Sequence, residues 1–258
     1  MTDPVPHTDH HAPEGLRTRG TLVVVPGRGE TRTTYTRLGR RLAADAYRVR
    51  VIDAPDLDSA DPAGALARFG ALLADAVEGT AAEDGVVGPL VLIGADTGAV
   101  AVAGLLGRAG FPGVRQPDAV VLAGLPGRGA GAVGGWEGEL EVRTSCPTHR
   151  GTLTEDAEVR RGSLADAVPD ALLAAAYEGD IVVPALLLVG DDDPLADHDA
   201  LARRAKSLTR ARLAVVRGAH HDVLNDLQHR SVAAETVTFL ENLRNDLVPL
   251  IGVETSAW

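Results

Sequence analysis

Asp96 is the residue whose setting carries the most chemistry in this 258-residue chain. It sits at the centre of Gly94-Ala95-Asp96-Thr97-Gly98, after the apolar run Pro89–Ile93 and before an alanine-rich stretch, Ala99–Arg108. A strand, a tight Gly-flanked turn and a helix form the setting in which G-x-S-x-G turns present a nucleophile. Serine at the centre would point to acyl transfer. Aspartate points instead to attack at an sp³ carbon, to acid–base chemistry without acyl transfer, or to lost catalysis.

Three other segments could complete such a site. Pro26-Gly27-Arg28-Gly29-Glu30 closes an apolar run with a glycine-rich turn. Such a turn can aim a backbone N–H at a developing oxyanion, beside the N–H of Thr97. Arg28 could also offer its guanidinium to an anionic substrate. Gly190-Asp191-Asp192-Asp193-Pro194 supplies an acid, and Gly218–Asp226 holds His220 and His221.

These segments need strand ends to hold them. Six apolar runs read as strands: Leu22–Val25, Arg48–Ile52, Leu90–Ile93, Ala119–Leu122, Ala185–Val189 and Leu213–Val216. Their continuous Val/Leu/Ile character predicts strands buried on both faces. Helical patterns at Tyr35–Ala46, Pro62–Val77, Thr97–Arg108, His198–Leu208 and Ser231–Leu243 alternate with most of them. Alternation of this kind predicts an α/β fold, a mostly parallel sheet of about six strands with helices on both faces. The reading divides the chain into a disordered tail at 1–18, a core at 19–125 and 185–246, and a C-terminal tail at 247–258. The remaining segment, 126–184, begins Gly-rich and ends in a helical stretch, Leu164–Tyr177. It is too long for a plain connection and is expected to form a lid over the carboxyl ends of the strands. The N-terminal antiparallel hairpin is expected to be missing.

The order of elbow, acid and histidine is that of the α/β-hydrolases. From Thr21 to Leu243 the chain resembles hydrolases of the monoacylglycerol lipase and lysophospholipase type. Their HGxGEH, GxSxG, GxxD and GxxHExxNE segments match Pro26–Glu30, Gly94–Gly98, Gly190–Asp193 and Gly218–Asp226. The resemblance implies Asp193 as the acid, His221 as the base, and the N–H groups of Arg28 and Thr97 as the oxyanion hole. Three departures stand out: Pro26 replaces the first histidine, Asp53–Ser59 replaces a DxRGxGxS loop, and Asp96 replaces the serine. Aspartate at the elbow resembles haloalkane dehalogenases and soluble epoxide hydrolases, which form an alkyl ester on the carboxylate. Thr97 stands where dehalogenases carry Trp. Of the two lid tyrosines of epoxide hydrolases only Tyr177 has a counterpart, with Trp136 and Tyr35 as further donors. The readings are therefore a hydrolase of a small organic molecule, a lyase, dehydratase or cyclase using Asp96 and His221 as acid and base, as natural-product pathways use this fold, or a silent binding protein.

Other residues receive plainer readings. Cys146 and His149 in Ser145–Arg150 are read as lid residues touching substrate rather than as a Cys–His pair. His7, His10 and His11 are read as solvated. No metal or organic cofactor is expected. A net charge of −11 argues against nucleic acid as partner. No apolar run reaches the roughly 18 residues of a membrane helix. The polar start lacks a signal peptide, and a single cysteine suits a reducing compartment, so the expected address is the cytoplasm.

Overall fold

A computed structural model of the chain describes residues 7–107, 115–128, 134–252, 254 and 256. Within it, alternate side chains of each central strand point to opposite faces, and both faces are apolar. Val23 and Val25 of β2 (Thr21–Val25) join one core cluster, while Leu22 and Val24 join the other. The same split recurs in β4 (Leu90–Ala95), β5 (Ala119–Ala123) and β6 (Ala185–Gly190). With both faces apolar, neither can be left to water, so helices cover each side. On one side lie α2 (Pro62–Glu78), α3 (Thr97–Leu106), α6 (Asp170–Glu178) and α7 (His198–Ser207). On the other lie α1 (Thr36–Ala44) and α8 (His229–Leu243). With β1 (His7–His10), β3 (Arg48–Ile52) and β7 (Ala211–Val216), the sheet has seven strands in the order β1-β3-β2-β4-β5-β6-β7. Every pairing is parallel except β1 with β3.

All six predicted strands form, but β7 is not buried on both faces. It is an edge strand, with Arg212 and Val215 exposed. The larger correction concerns the N-terminus. His7–His10 is not a disordered tail but an antiparallel edge strand, with His7 opposite Ile52 and His10 opposite Val49. Charge fixes it there. Asp9 accepts from Arg50 Nε at 2.7 Å and Nη2 at 2.6 Å, with Arg48 Nη2 at 3.5 Å. His10 lies against Gly39 instead of standing in solvent.

Between β5 and β6 come α4 (Gly135–Arg143), α5 (Pro147–Glu155), a short 3₁₀ turn at Ser163–Ala165, and α6. The helix expected at Leu164–Tyr177 is thus this turn followed by α6. Leu172, Leu173 and Ala176 of α6 pack in the main core with α3, so α6 belongs to the helical layer. No helix among the described residues is long and apolar enough to cross a membrane.

Arg50 is buried, and its carboxylate partner comes from the edge strand alone. Charged hydrogen bonds of this kind contribute about 1.5–3 kcal/mol. Asp9→Ala is therefore expected to lower unfolding stability by about that amount in urea titrations, whereas Glu14→Ala on the exposed segment should leave the midpoint unchanged.

Candidate active site

The turn after β4 sets the geometry. Asp96 adopts φ 45° and ψ −118°, a conformation L-residues avoid at a cost of about 1–3 kcal/mol. Its N–H is held by the Ala123 carbonyl at 3.0 Å. Gly98 must lack a Cβ, because that atom would lie 2.3 Å from the Val25 carbonyl oxygen. The strained turn is thus pressed against the end of β2 and lifts the Asp96 side chain over the strand ends.

The resemblance's acid and base meet it there. His221 Nδ1 lies 2.9 Å from Asp193 Oδ2, and His221 Nε2 lies 3.2 Å from Asp96 Oδ1. Asp193 is steadied through its other oxygen by the N–H of Leu195 at 2.9 Å. The neighbouring histidine turns away: His220 Nδ1 faces Asp226 Oδ2 at 3.1 Å.

Arg28 contributes more than a backbone donor. Its N–H donates to Asp96 Oδ2 at 2.9 Å, so the expected oxyanion donor is already taken by the elbow carboxylate. Its guanidinium grips the same carboxylate at both oxygens: Nε to Oδ2 at 2.9 Å and Nη2 to Oδ1 at 2.9 Å. The remaining arm, Nη1, donates to the Asp166 carbonyl at 2.6 Å. Thr97 follows Asp96 as the first residue of α3, and its Oγ1 is buried without a partner.

These charges move the proton affinities apart. Burial alone would raise the Asp96 pKa, but the charge of Arg28, followed by bonds to His221, holds it well below the usual carboxylate range. Burial alone would lower that of His221, but Asp193 first and Asp96 second push it up to about 10. The resting site is accordingly carboxylate, imidazolium, carboxylate, with a guanidinium balancing the second negative charge.

Access is asymmetric. The cavity touching Asp96 and His221, with Tyr35 and Asp222, holds only about 10 Å³. A cleft of about 850 Å³ lies beyond Arg28 and Thr97, lined also by Asp56, Asp58, Arg160 and Asp166. Arg28 therefore forms the wall between the cleft and the elbow carboxylate.

A second buried network backs this wall. Arg143, wholly buried on α4, donates to Glu139 Oε1 at 2.9 Å, to the Arg28 carbonyl at 2.7 Å and to Ser163 Oγ at 3.0 Å. Asp222 receives Arg143 Nη1 at 3.4 Å and faces His149 Nε2 at 2.8 Å. The end of α4 also grips the histidine loop, since the Val142 and Arg143 carbonyls accept from the N–H groups of His221 and Asp222 at 3.2 and 2.9 Å. Glu30 accepts from the Gly27 N–H at 2.8 Å and from the Tyr35 hydroxyl. Burial, followed by the nearby Asp222, raises the Glu30 pKa to about 7.

The structure brings Asp96, His221, Asp193, Arg28, Thr97 and Tyr35 together. It does not bring Trp136 or Tyr177 there. Trp136 packs with Leu140, Leu153 and Val159 and stacks under Arg161 at 5.0 Å. Tyr177 donates to the Pro126 carbonyl at 3.2 Å and lines a different cleft, with Arg128 and Arg204. Cys146 is buried at the start of α5, with Arg37 Nη1 3.6 Å from its sulfur, and His149 is paired with Asp222. Sequence reading missed Glu139, Arg143 and Asp222. The i,i+4 spacing of Glu139 and Arg143 was the available signal for the first two.

No protein-family model and no curated protein matches the sequence. Solved structures do. The chain is similar to the monoacylglycerol lipase of Paleococcus ferrophilus, with a TM-score of 0.70, 18% identity, and coverage of 93% of this chain and 99% of that one. It is similar to a soluble variant of the Saccharomyces cerevisiae monoglyceride lipase, at 0.68 and 14%, covering 92% and 91%. It is also similar to YbtT, a type II thioesterase from the yersiniabactin pathway, at 0.55 and 20%, covering 92% and 98%. The chain has the α/β-hydrolase fold.

Removing Arg28 strands a buried carboxylate, which costs about 3–5 kcal/mol. Arg28→Met should destabilise by that order in denaturant titrations, and Arg28→Met/Asp96→Asn should recover much of the loss. His221 gains protonation in the folded state, so its contribution is fully present below the ordinary pKa of 6.5 and lost as pH rises towards about 10. Wild type should therefore lose stability over that window relative to His221→Gln, and ¹⁵N spectra at about pH 8 should show both ring nitrogens protonated.

Proposed function

We propose that the protein is a hydrolase acting on a small organic molecule in the 850 Å³ cleft, with Arg28 holding Asp96 in a resting state. The observation that carries this reading is the unbroken chain Asp193–His221–Asp96, at 2.9 and 3.2 Å, on a strained elbow. A polar or anionic group on the substrate draws the Arg28 guanidinium towards the cleft and frees the carboxylate. An Asp96 oxygen then attacks an sp³ carbon, and the leaving group departs with its bonding electrons. The resulting ester is neutral. His221 thereby loses one of the two negative charges that raised its proton affinity, gives its Nε2 proton to the departing group, and is left as a neutral imidazole able to act as a base. It takes a proton from water. The hydroxide adds to the ester carbonyl, whose oxygen is met by the Arg28 and Thr97 N–H groups. Collapse releases the alcohol and restores Asp96, which now carries one oxygen from water. The segment between β5 and α6 acts as the lid over this cleft, which Glu158, Arg160 and Asp166 line.

One observation favours a second reading, a ligand-binding protein without turnover. Both oxygens of Asp96 are engaged by Arg28, and the cavity beside His221, at about 10 Å³, has room for a single water at most and for no substrate.

Single turnovers in ¹⁸O-labelled water, with a panel of epoxides, haloalkanes and esters, separate the readings. Mass analysis of the Asp96 peptide should show label, and Asp96→Asn should lower kcat/KM by at least about 10³-fold. Turnover without label sinks the covalent route and points to acid–base elimination or cyclisation. Binding that survives Asp96→Ala and His221→Ala, with no turnover, establishes the second reading.

A further inference from the structure

The network behind the elbow gathers acidic groups around few basic ones. Glu30, Glu139 and Asp222 all surround Arg143, and the only other basic group paired with them among the described residues is the His149 ring, against Asp222. The neighbouring site needs nothing from it: there Asp96 and Asp193 are balanced by Arg28 and the His221 imidazolium. All the members are buried, and buried uncompensated charge must take up protons or a cation.

The donor geometry favours a cation. A Glu30 carboxylate oxygen, a His149 ring nitrogen and an Asp222 carboxylate oxygen all lie within 4.8 Å of one another. His149 Nε2 and Asp222 Oδ2 are 2.8 Å apart, close to the spacing of about 3.0 Å between adjacent donors on an octahedral ion with bonds of about 2.1 Å. The second observation is independent of that spacing. Glu30 is 7% exposed, and its Oε1 is buried with no hydrogen-bond partner, although Oε2 has two. An acceptor left bare inside a protein is costly unless something fills its place.

We propose that Glu30, His149 and Asp222 form a binding site for one divalent first-row transition metal ion. Two carboxylates with one imidazole suit ions such as Mn²⁺, Fe²⁺, Co²⁺ or Zn²⁺ better than Ca²⁺ or Mg²⁺, which prefer all-oxygen shells. The three ligands come from the β2 turn, α5 and the histidine loop, so the ion ties together three segments that are far apart in sequence. The site is separate from the Asp96 chemistry and stands whether or not the hydrolase reading does.

The test uses full-length, tag-free protein stripped with EDTA. Co²⁺ is titrated while visible absorption and bound metal are measured, and Zn²⁺ is then added in competition. The expected result is one equivalent with d–d bands, displaced by Zn²⁺, lost in His149→Ala and weakened at least about tenfold in Glu30→Gln. His7 and His11 offer other imidazoles, and His7→Ala/His11→Ala should keep the equivalent. Absence of an equivalent in wild type, its survival in His149→Ala, or its loss in His7→Ala/His11→Ala overturns the proposal. Far-UV circular dichroism checks each fold. Should His149→Ala not fold, Glu30→Gln carries the decision, together with the wild-type thermal midpoint. That midpoint should rise with one equivalent of Co²⁺, and an unchanged value overturns the site.

Discussion

Everything around the strand ends depends on the ion pair between Arg28 and Asp96. A carboxylate at that depth cannot stand alone, because desolvation costs several kcal/mol. Arg28 answers with three bonds, two from the guanidinium and one from its own N–H. That N–H is the group a hydrolase would aim at a developing oxyanion. The same residue therefore supplies a compensating charge, an anion-binding donor and the wall of the cleft. The aspartate in the turn after β4 and the arginine in the turn after the adjacent β2 are one physical solution.

The core was legible because its physics is one-dimensional. Continuous runs such as Leu22–Val25 and Leu90–Ile93 favour strands buried on both faces, and these two lie where the run lies, whereas Leu213–Val216 falls in a half-exposed edge strand. The placing of Asp96, Asp193 and His221 was legible for a related reason: each follows the end of a strand that the sheet order brings close. What escaped was set by contacts between distant segments. The β1 strand is polar, and nothing in His7–His10 itself demands pairing; Arg48 and Arg50 of β3 do. The Arg28 side chain is invisible to a motif that reads only backbone donors. Trp136 and Tyr177 look like aromatic donors for a pocket, yet each finds a partner where it stands, Arg161 for one and the Pro126 carbonyl for the other.

The interior also shows how polar groups are shared between neighbouring tasks. Asp222 is adjacent to His221 in sequence but faces the opposite way, towards Arg143 and His149. Two successive residues thus serve two separate buried networks. One is balanced by Arg28 and the His221 ring, and the other by Arg143 and the His149 ring. Arg143 joins them by also holding the Arg28 carbonyl.

The grip of α4 on the histidine loop has a mechanical meaning. The carbonyls of Val142 and Arg143 hold the amides of His221 and Asp222, while Arg143 and Ser163 hold the backbone of Arg28. The segment between β5 and β6 is thereby tied both to His221 and to Arg28. A displacement of α4 would pull on these bonds, so the placing of this helix and the alignment of the imidazole and guanidinium are mechanically coupled.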